Sequence, residues 1–223
     1  MDRTVLVIGD THLPFTKKHY LEFCIETYKK FKCTHVVHIG DLVDNHAISY
    51  HDHDPDGYSH KQEMEEADKE LKKWFKAFPK VKMCLGNHDI LVARQAMTHG
   101  ISKRAIRAFE DIWNLPQGWE VDTHFIIDNV LYMHGNKRSG KYAHINEIAR
   151  QHCSVVMGHL HSNSGVGFRA SKRNRFYGMA VGCGVDERAY SMAYATEYPD
   201  RFLIGCSVVS NNGKYPQWIP MEL

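Results

Sequence analysis

The feature that most constrains this chain is a recurrence. Five times, a short apolar run ends at a glycine joined to Asp, Asn or His, the glycine leading in four of them and following the His in the other. Residues 4–8 lead to Gly9-Asp10-Thr11-His12. Residues 34–39 lead to Gly40-Asp41, with Asp44 following. Residues 81–85 lead to Gly86-Asn87-His88-Asp89. Residues 130–133 lead to His134-Gly135, and residues 154–157 lead to Gly158-His159-Leu160-His161. Apolar runs this short, bounded by turn residues, read as buried strands. A stretch at helical spacing (Leu21, Cys24, Ile25, Tyr28, Phe31) separates the first two runs, so the chain opens as a βαβ unit with parallel pairing. In an open parallel sheet the strand ends meet at one crevice. The five polar groups are therefore expected to converge.

Between and beyond these runs the pattern predicts helices over 17–31, 61–78, 102–113 and 142–152. It predicts a hairpin from 125–127 and 130–133, and strands at 154–157, 165–170, 176–181 and 202–209. The helix over 61–78 carries Met64, Ala67, Leu71, Trp74, Phe75 and Phe78 on one face. Its acids lie early and its lysines late, in accord with the helix dipole. Residues 44–60 read as a long polar loop. Its His51, Asp52, His53, Asp54 and His60 read as a solvated loop rather than a third metal site, and as the rim of the substrate cleft if they have a functional role. His38 reads as a strand residue with a satisfied hydrogen bond, and His35 and His124 as surface groups.

Composition excludes several classes. At 223 residues the chain is long enough for one domain over 1–223 with its own core. Hydrophobic residues make up 43% and charged residues 24%, as in ordinary globular proteins. No apolar stretch is long enough to span a membrane, and the N-terminus reads as a first strand rather than a signal peptide. Six scattered cysteines point to a reducing, cytoplasmic setting without a thiolate zinc site. The formal net charge of +2 does not call for a nucleic-acid partner. The unusual count is 16 histidines.

Asp10, His12, Asp41, Asn87, His134, His159 and His161 form a mixed nitrogen and oxygen donor set. Such a set suits first-row divalent ions, manganese foremost, with nickel, iron, zinc or cobalt as alternatives. Seven donors are too many for one ion and fit two that share a carboxylate. Two such ions can clamp the attacking and leaving oxygens of a phosphoryl group, with a bridging hydroxide as the expected nucleophile.

Taken together, the segments resemble the calcineurin-like metallophosphoesterase superfamily. Its motifs D-x-H, G-D-x-x-D, G-N-H-[DE], His-Gly and G-H-x-H all occur here in order between residues 9 and 161. The resemblance implies a four-layer α/β/β/α sandwich of two mixed sheets with flanking helices and a dimetal site at the sheet edge. It implies Asp10, His12, Asp41 and His161 around one ion and Asp41, Asn87, His134 and His159 around the other. His88 would act on the phosphate or the leaving oxygen instead of binding metal, with Asp44 or Asp89 in support. The implied activity is hydrolysis of small phosphoesters or nucleotides. A DNA or RNA nuclease, a protein Ser/Thr phosphatase and, last, a non-catalytic scaffold are the alternatives.

One departure stands out. Many phosphomonoesterases of the superfamily follow the second motif with Arg, whereas this chain has Asn45 and His46. The missing guanidinium leans the reading toward phosphodiesters. Asn45, His46, Lys137 and Arg138 are the candidates for substrate contacts. Tyr50, Tyr58 and Phe168 are candidates for stacking on a base.

Overall fold

The computed structural model describes residues 2–52, 54–197 and 200–222. His53, part of the expected polar rim, lies outside the described residues. The first three predicted strands form as β1 (Val5–Ile8), β2 (His35–His38) and β3 (Val81–Cys84), all parallel. A parallel β4 (Trp119–Asp122) extends them on one side. On the other side β10 (Gly205–Ser210) and β11 (Tyr215–Pro220) add antiparallel. The second sheet runs β5 (His124–Ile127), β6 (Val130–Met133), β7 (Ser154–Met157), β9 (Arg175–Val181), β8 (Ser164–Ala170). Here β6, β7 and β9 are parallel, and β5 and β8 close the edges antiparallel.

Alternation along β1 explains the layering. Leu6 and Ile8 face one way, toward Tyr20 and Cys24 of α1 (Tyr20–Lys30) and Leu71 and Trp74 of α2 (His60–Ala77). Val5 and Val7 face the other way, onto Tyr177, Met179 and Val181 of the second sheet. α5 (Ala143–Gln151) packs against β7 and β9. The result is the expected two-sheet sandwich with helices outside.

α2 begins at a capping box. Ser59 Oγ accepts the Gln62 amide, and Gln62 Oε1 accepts the Ser59 amide at 3.0 Å. α1 starts later than its apolar spacing predicts. The Lys17 amide donates to Gly184 at 2.7 Å, and His19 sits in the left-handed region at φ 67°.

The region 91–122 departs most from expectation. The predicted helix over 102–113 is broken into a 3-10 turn at Lys103–Ala105 and the single turn α4 (Phe109–Ile112), with Ile106 extended between them. An unpredicted helix, α3 (Leu91–Thr98), precedes it. Leu91 is its one buried residue, and it docks by a hydrogen bond from Gln95 Nε2 to the Ile48 carbonyl (2.6 Å). Polar docking of this kind leaves no apolar stripe to read.

No helix among the described residues is long and apolar enough to cross a membrane, and all six cysteines are free thiols.

Candidate metal centre

The C-terminal ends of β1, β2, β3, β6 and β7 lie at one edge of the sandwich. Each is followed directly by its polar group. Three of the predicted ligands bend the backbone into the left-handed region: His12, Asp41 and His159, at φ 47, 49 and 69°. That conformation costs a non-glycine residue about 1–2 kcal/mol and persists where surrounding bonds hold it. Here the Thr11 and His12 amides both donate to the Asp41 carbonyl (3.0 and 2.9 Å), and the His159 amide donates to Asp10 Oδ2 (2.8 Å).

Asp89 ties the second motif to the third. Its buried carboxylate accepts the amides of Asp41 (2.9 Å), Leu42 (2.9 Å), Val43 (3.3 Å) and Gly86 (2.8 Å). Burial, then the Asp41 charge, pushes this carboxyl up to about 7 against the pull of those amides. Glycine at 86 and 158 is required by close approach. A Cβ at Gly86 would overlap the Asp41 carboxylate and amide, and one at Gly158 would overlap Asp10 Oδ1. Gly86→Ala is expected to destabilise the fold by about 2–3 kcal/mol and to weaken metal loading, because backbone held by Asp89 cannot yield. Thermal melts with metal analysis check this; a wild-type melting curve and metal content would contradict it.

The ligand atoms meet in three overlapping groups, each within 4.8 Å: Asp10, His12 and His161; His12, Asp41 and His88; Asp41, His134 and His159. Asn87 joins the last through Oδ1, 3.2 Å from His134 Nε2. All seven predicted ligands therefore come together. Hydrogen bonds to their far nitrogens orient two of the imidazoles. His12 Nδ1 donates to Asp44 Oδ1 (2.7 Å), turning Nε2 inward, 3.1 Å from His161 Nε2. His134 Nδ1 donates to the Ile39 carbonyl (3.1 Å), turning its Nε2 toward Asp41 Oδ2 at 3.0 Å.

The donor chemistry fits divalent ions. Carboxylate oxygens, an amide oxygen and imidazole nitrogens converge, and Asp10 Oδ1 is buried with no hydrogen-bond partner. Without a cation, protons take up part of that role. Burial pulls His134 down, but the charges of Asp41 and Asp10 more than offset it and carry the group up to about 9. Burial works against Asp41 too, yet His134 and His88 hold its carboxyl well below the usual range. His159, with burial and then the His134 charge against it, falls to about 4. The geometry is thus a two-metal arrangement within a fold equipped for metal-assisted phosphoester chemistry.

His88 sits beside this centre and is held from behind. Its Nδ1 donates to the Asp44 carbonyl (2.6 Å) and lies 3.0 Å from Asp44 Oδ1. Burial pulls its pKa down, but the Asp41 charge and the Asp44 hydrogen bonds raise it to about 10. Asp44 thus serves both His12 and His88, while Asp89 holds the backbone. Asn45 is buried and donates from Nδ2 to the His88 carbonyl (3.0 Å). His46 is buried with its ring against Tyr190. Lys137 is exposed, and Arg138 is occupied by Glu147, with bonds of 2.7 and 3.3 Å. Of the three stacking candidates, Tyr50 lies under Arg94, Tyr58 packs on Phe15 and Tyr190, and Phe168 lies under Arg175. His38, as expected, is a satisfied strand residue: it accepts from the Gly40 amide (3.3 Å) and bonds Thr11 Oγ1 (3.1 Å).

Sequence reasoning missed Glu63. This buried α2 residue accepts the amides of His46 (2.8 Å) and Ala47 (2.9 Å), and so clamps the loop that carries Asp44. The only sequence signal is an acid facing inward on an amphipathic helix. Burial pushes its carboxyl from 4.5 up to about 7. A folded pKa above the unfolded value means that the fold disfavours the ionised form, so this group's contribution to stability falls as pH rises from about 4.5 to 7. Glu63→Gln cannot ionise. Across that window the wild type is expected to lose on the order of 2–3 kcal/mol relative to E63Q in chemical denaturation. Parallel stability-versus-pH curves would refute this. His51, from the loop expected at the cleft rim, does line the cleft, whereas Ser162, Asp200 and Phe202 carry no signal in the sequence that marks them as its wall.

The family model described as calcineurin-like phosphoesterase matches residues 3–181. Among solved structures, the chain is similar to Vacuolar Protein Sorting 29 from Cryptosporidium parvum, at 13% identity over 99% of both chains with a TM-score of 0.50. It is also similar to Yfce, a phosphoesterase from E. coli, at 13% identity over 93% of this chain and 88% of that one, TM-score 0.42. Nuclease MPE from Pseudomonas putida matches at 12% identity over 96% and 87%, TM-score 0.34. The first likeness is one of fold alone, and the other two are too distant to bear on this chain. No curated protein matches it in sequence. Five motifs in order, their convergence at one sheet edge and a family match over most of its length show that this chain belongs to the calcineurin-like phosphoesterase family.

Proposed function

We propose that the chain is a dimetal-dependent hydrolase of small-molecule or nucleotide phosphoesters. The observation that carries this is the interlocking of three groups of ligand-type side chains through His12 and Asp41, with His88 completing the middle group. In this reading Asp10, His12, Asp41 and His161 hold one ion. Asp41, Asn87, His134 and His159 hold the other, and manganese is the preferred metal. When bound, the ions supply positive charge to the phosphoryl oxygens and acidify a water.

The chain's own residues do the rest. Asp44 and the Ile39 carbonyl fix the tautomers of His12 and His134, so both present a lone pair inward. His88 keeps its Nδ1 proton on Asp44 and donates from Nε2 to the leaving oxygen. A cleft of about 510 Å³ opens onto His88 and His161 and admits a small ester.

The test is a panel of Mn, Ni, Co, Zn and Mg against an aryl monoester, an aryl diester, cyclic nucleotides and single-stranded DNA. Hydrolysis is expected with manganese and not after chelation. A fully loaded chain inert toward every ester would support the scaffold reading instead.

One observation favours nucleic acid as an alternative substrate. The β8–β9 hairpin carries Arg169, Lys172, Arg173 and Arg175 beside the exposed Phe168. Oligonucleotide affinity that falls steeply with salt, and flattens on neutralising these residues, would establish that reading.

A further inference from the structure

We infer that the cleft beside the metal centre selects phosphodiesters over phosphomonoesters, with Asp200 as a specificity-determining residue; this rests on the hydrolase reading above. Beyond the candidate ligands and His88, the cleft is walled by His51, Leu160, Ser162, Asp200 and Phe202. Among the described residues, no Lys or Arg lines it. The two basic residues nearest in sequence to a ligand do not fill that role. Arg138 is bound by the fully buried Glu147 carboxylate, and Lys137 is exposed outside the lining.

Among the described residues, the one fixed charge on the wall outside the ligand set is negative. Asp200 is exposed at the rim, and no cation among the described residues pairs with it. A phosphomonoester near neutral pH carries close to two negative charges and a phosphodiester one. The added charge meets a carboxylate with nothing on the wall to balance it. At the partly screened separations of an open cleft this disfavours the monoester about three- to tenfold.

The wall also offers an apolar surface. Phe202 stands edge-on to the His161 ring, with centroids 5.0 Å apart, and Leu160 lies in the same lining. A diester has two organic arms. One leaves past His88, and the second finds its contact on this face, where a monoester presents only oxygen.

The experiment compares manganese-loaded wild type and Asp200→Asn on an aryl phosphomonoester and a bis-aryl phosphodiester. It also measures inorganic phosphate binding to both by calorimetry. The wild type is expected to favour the diester in kcat/KM by about tenfold. Asp200→Asn is expected to lower that ratio at least about threefold through a gain on the monoester, and to bind phosphate at least about threefold tighter. A wild-type preference for the monoester overturns the inference, as does a ratio or a phosphate affinity that D200N leaves unmoved. Hydrolysis of neither ester overturns the hydrolase reading and this inference with it.

Discussion

Asp41→Asn is expected to cost the chain at least one of the two metals proposed for it and about a thousandfold in turnover. Asp41 is buried at the meeting point of two ligand groups, and its two oxygens have separate duties. Oδ1 accepts the His88 amide at 2.8 Å, while Oδ2 faces His134 Nε2 at 3.0 Å and His12 Nε2 at 3.6 Å. Asparagine keeps one oxygen but replaces the other with an amide NH2 that points hydrogens at those nitrogens. It also removes the negative charge that would offset the two proposed cations. A thousandfold corresponds to about 4 kcal/mol, within what a lost metal clamp on a phosphoryl group costs. Elemental analysis of the purified variant and turnover at saturating manganese decide it. A D41N protein holding two ions with turnover within tenfold of wild type would remove the shared-carboxylate arrangement.

His88→Ala is expected to behave differently. It should keep both metals and lose on the order of a hundred- to ten-thousandfold in rate, as removal of a general acid does. The loss should be steepest for esters with poorly acidic leaving groups, because those need the proton most. The geometry supports the separation of effects. His88 is anchored through Nδ1 to the Asp44 carbonyl, and although it shares one group with His12 and Asp41, the groups of Asp10, His12 and His161 and of Asp41, His134 and His159 form without it. Metal content and a series of aryl esters of graded leaving-group acidity provide the check. A metal-loaded H88A enzyme that is equally slow on all of them would assign His88 to binding; one as fast as wild type would remove it from the mechanism.

The parts of this protein that could be read along the chain are those whose signal is local. β1 and β6 are unbroken apolar runs, and β2, β3 and β7 are apolar apart from His35, His38, Lys82 and Ser154, because strands inside a parallel sheet keep little solvent face to mark with polar residues. α1 and α2 carry an apolar stripe, since one face of each lies on the first sheet. β4 and α3 carry neither signal. The first joins the sheet edge through backbone pairing, and the second docks through Gln95 on a loop carbonyl.

Within the site the same division holds. Which residue types gather at the strand ends follows from spacing, since the end of a parallel strand is where its polar follower must lie. How they are charged and held does not. Asp10 meets the His159 amide 149 residues away, and Glu63 acts on two backbone amides of a loop that no pattern links to its helix. Arg138 looked available for phosphate until folding brought Glu147 to it. The motifs alone determined the donor set. Only the packed structure decided the pKa values, the tautomers and the sign of the cleft wall, because electrostatic fields and hydrogen bonds depend on distance in space and are indifferent to order along the chain.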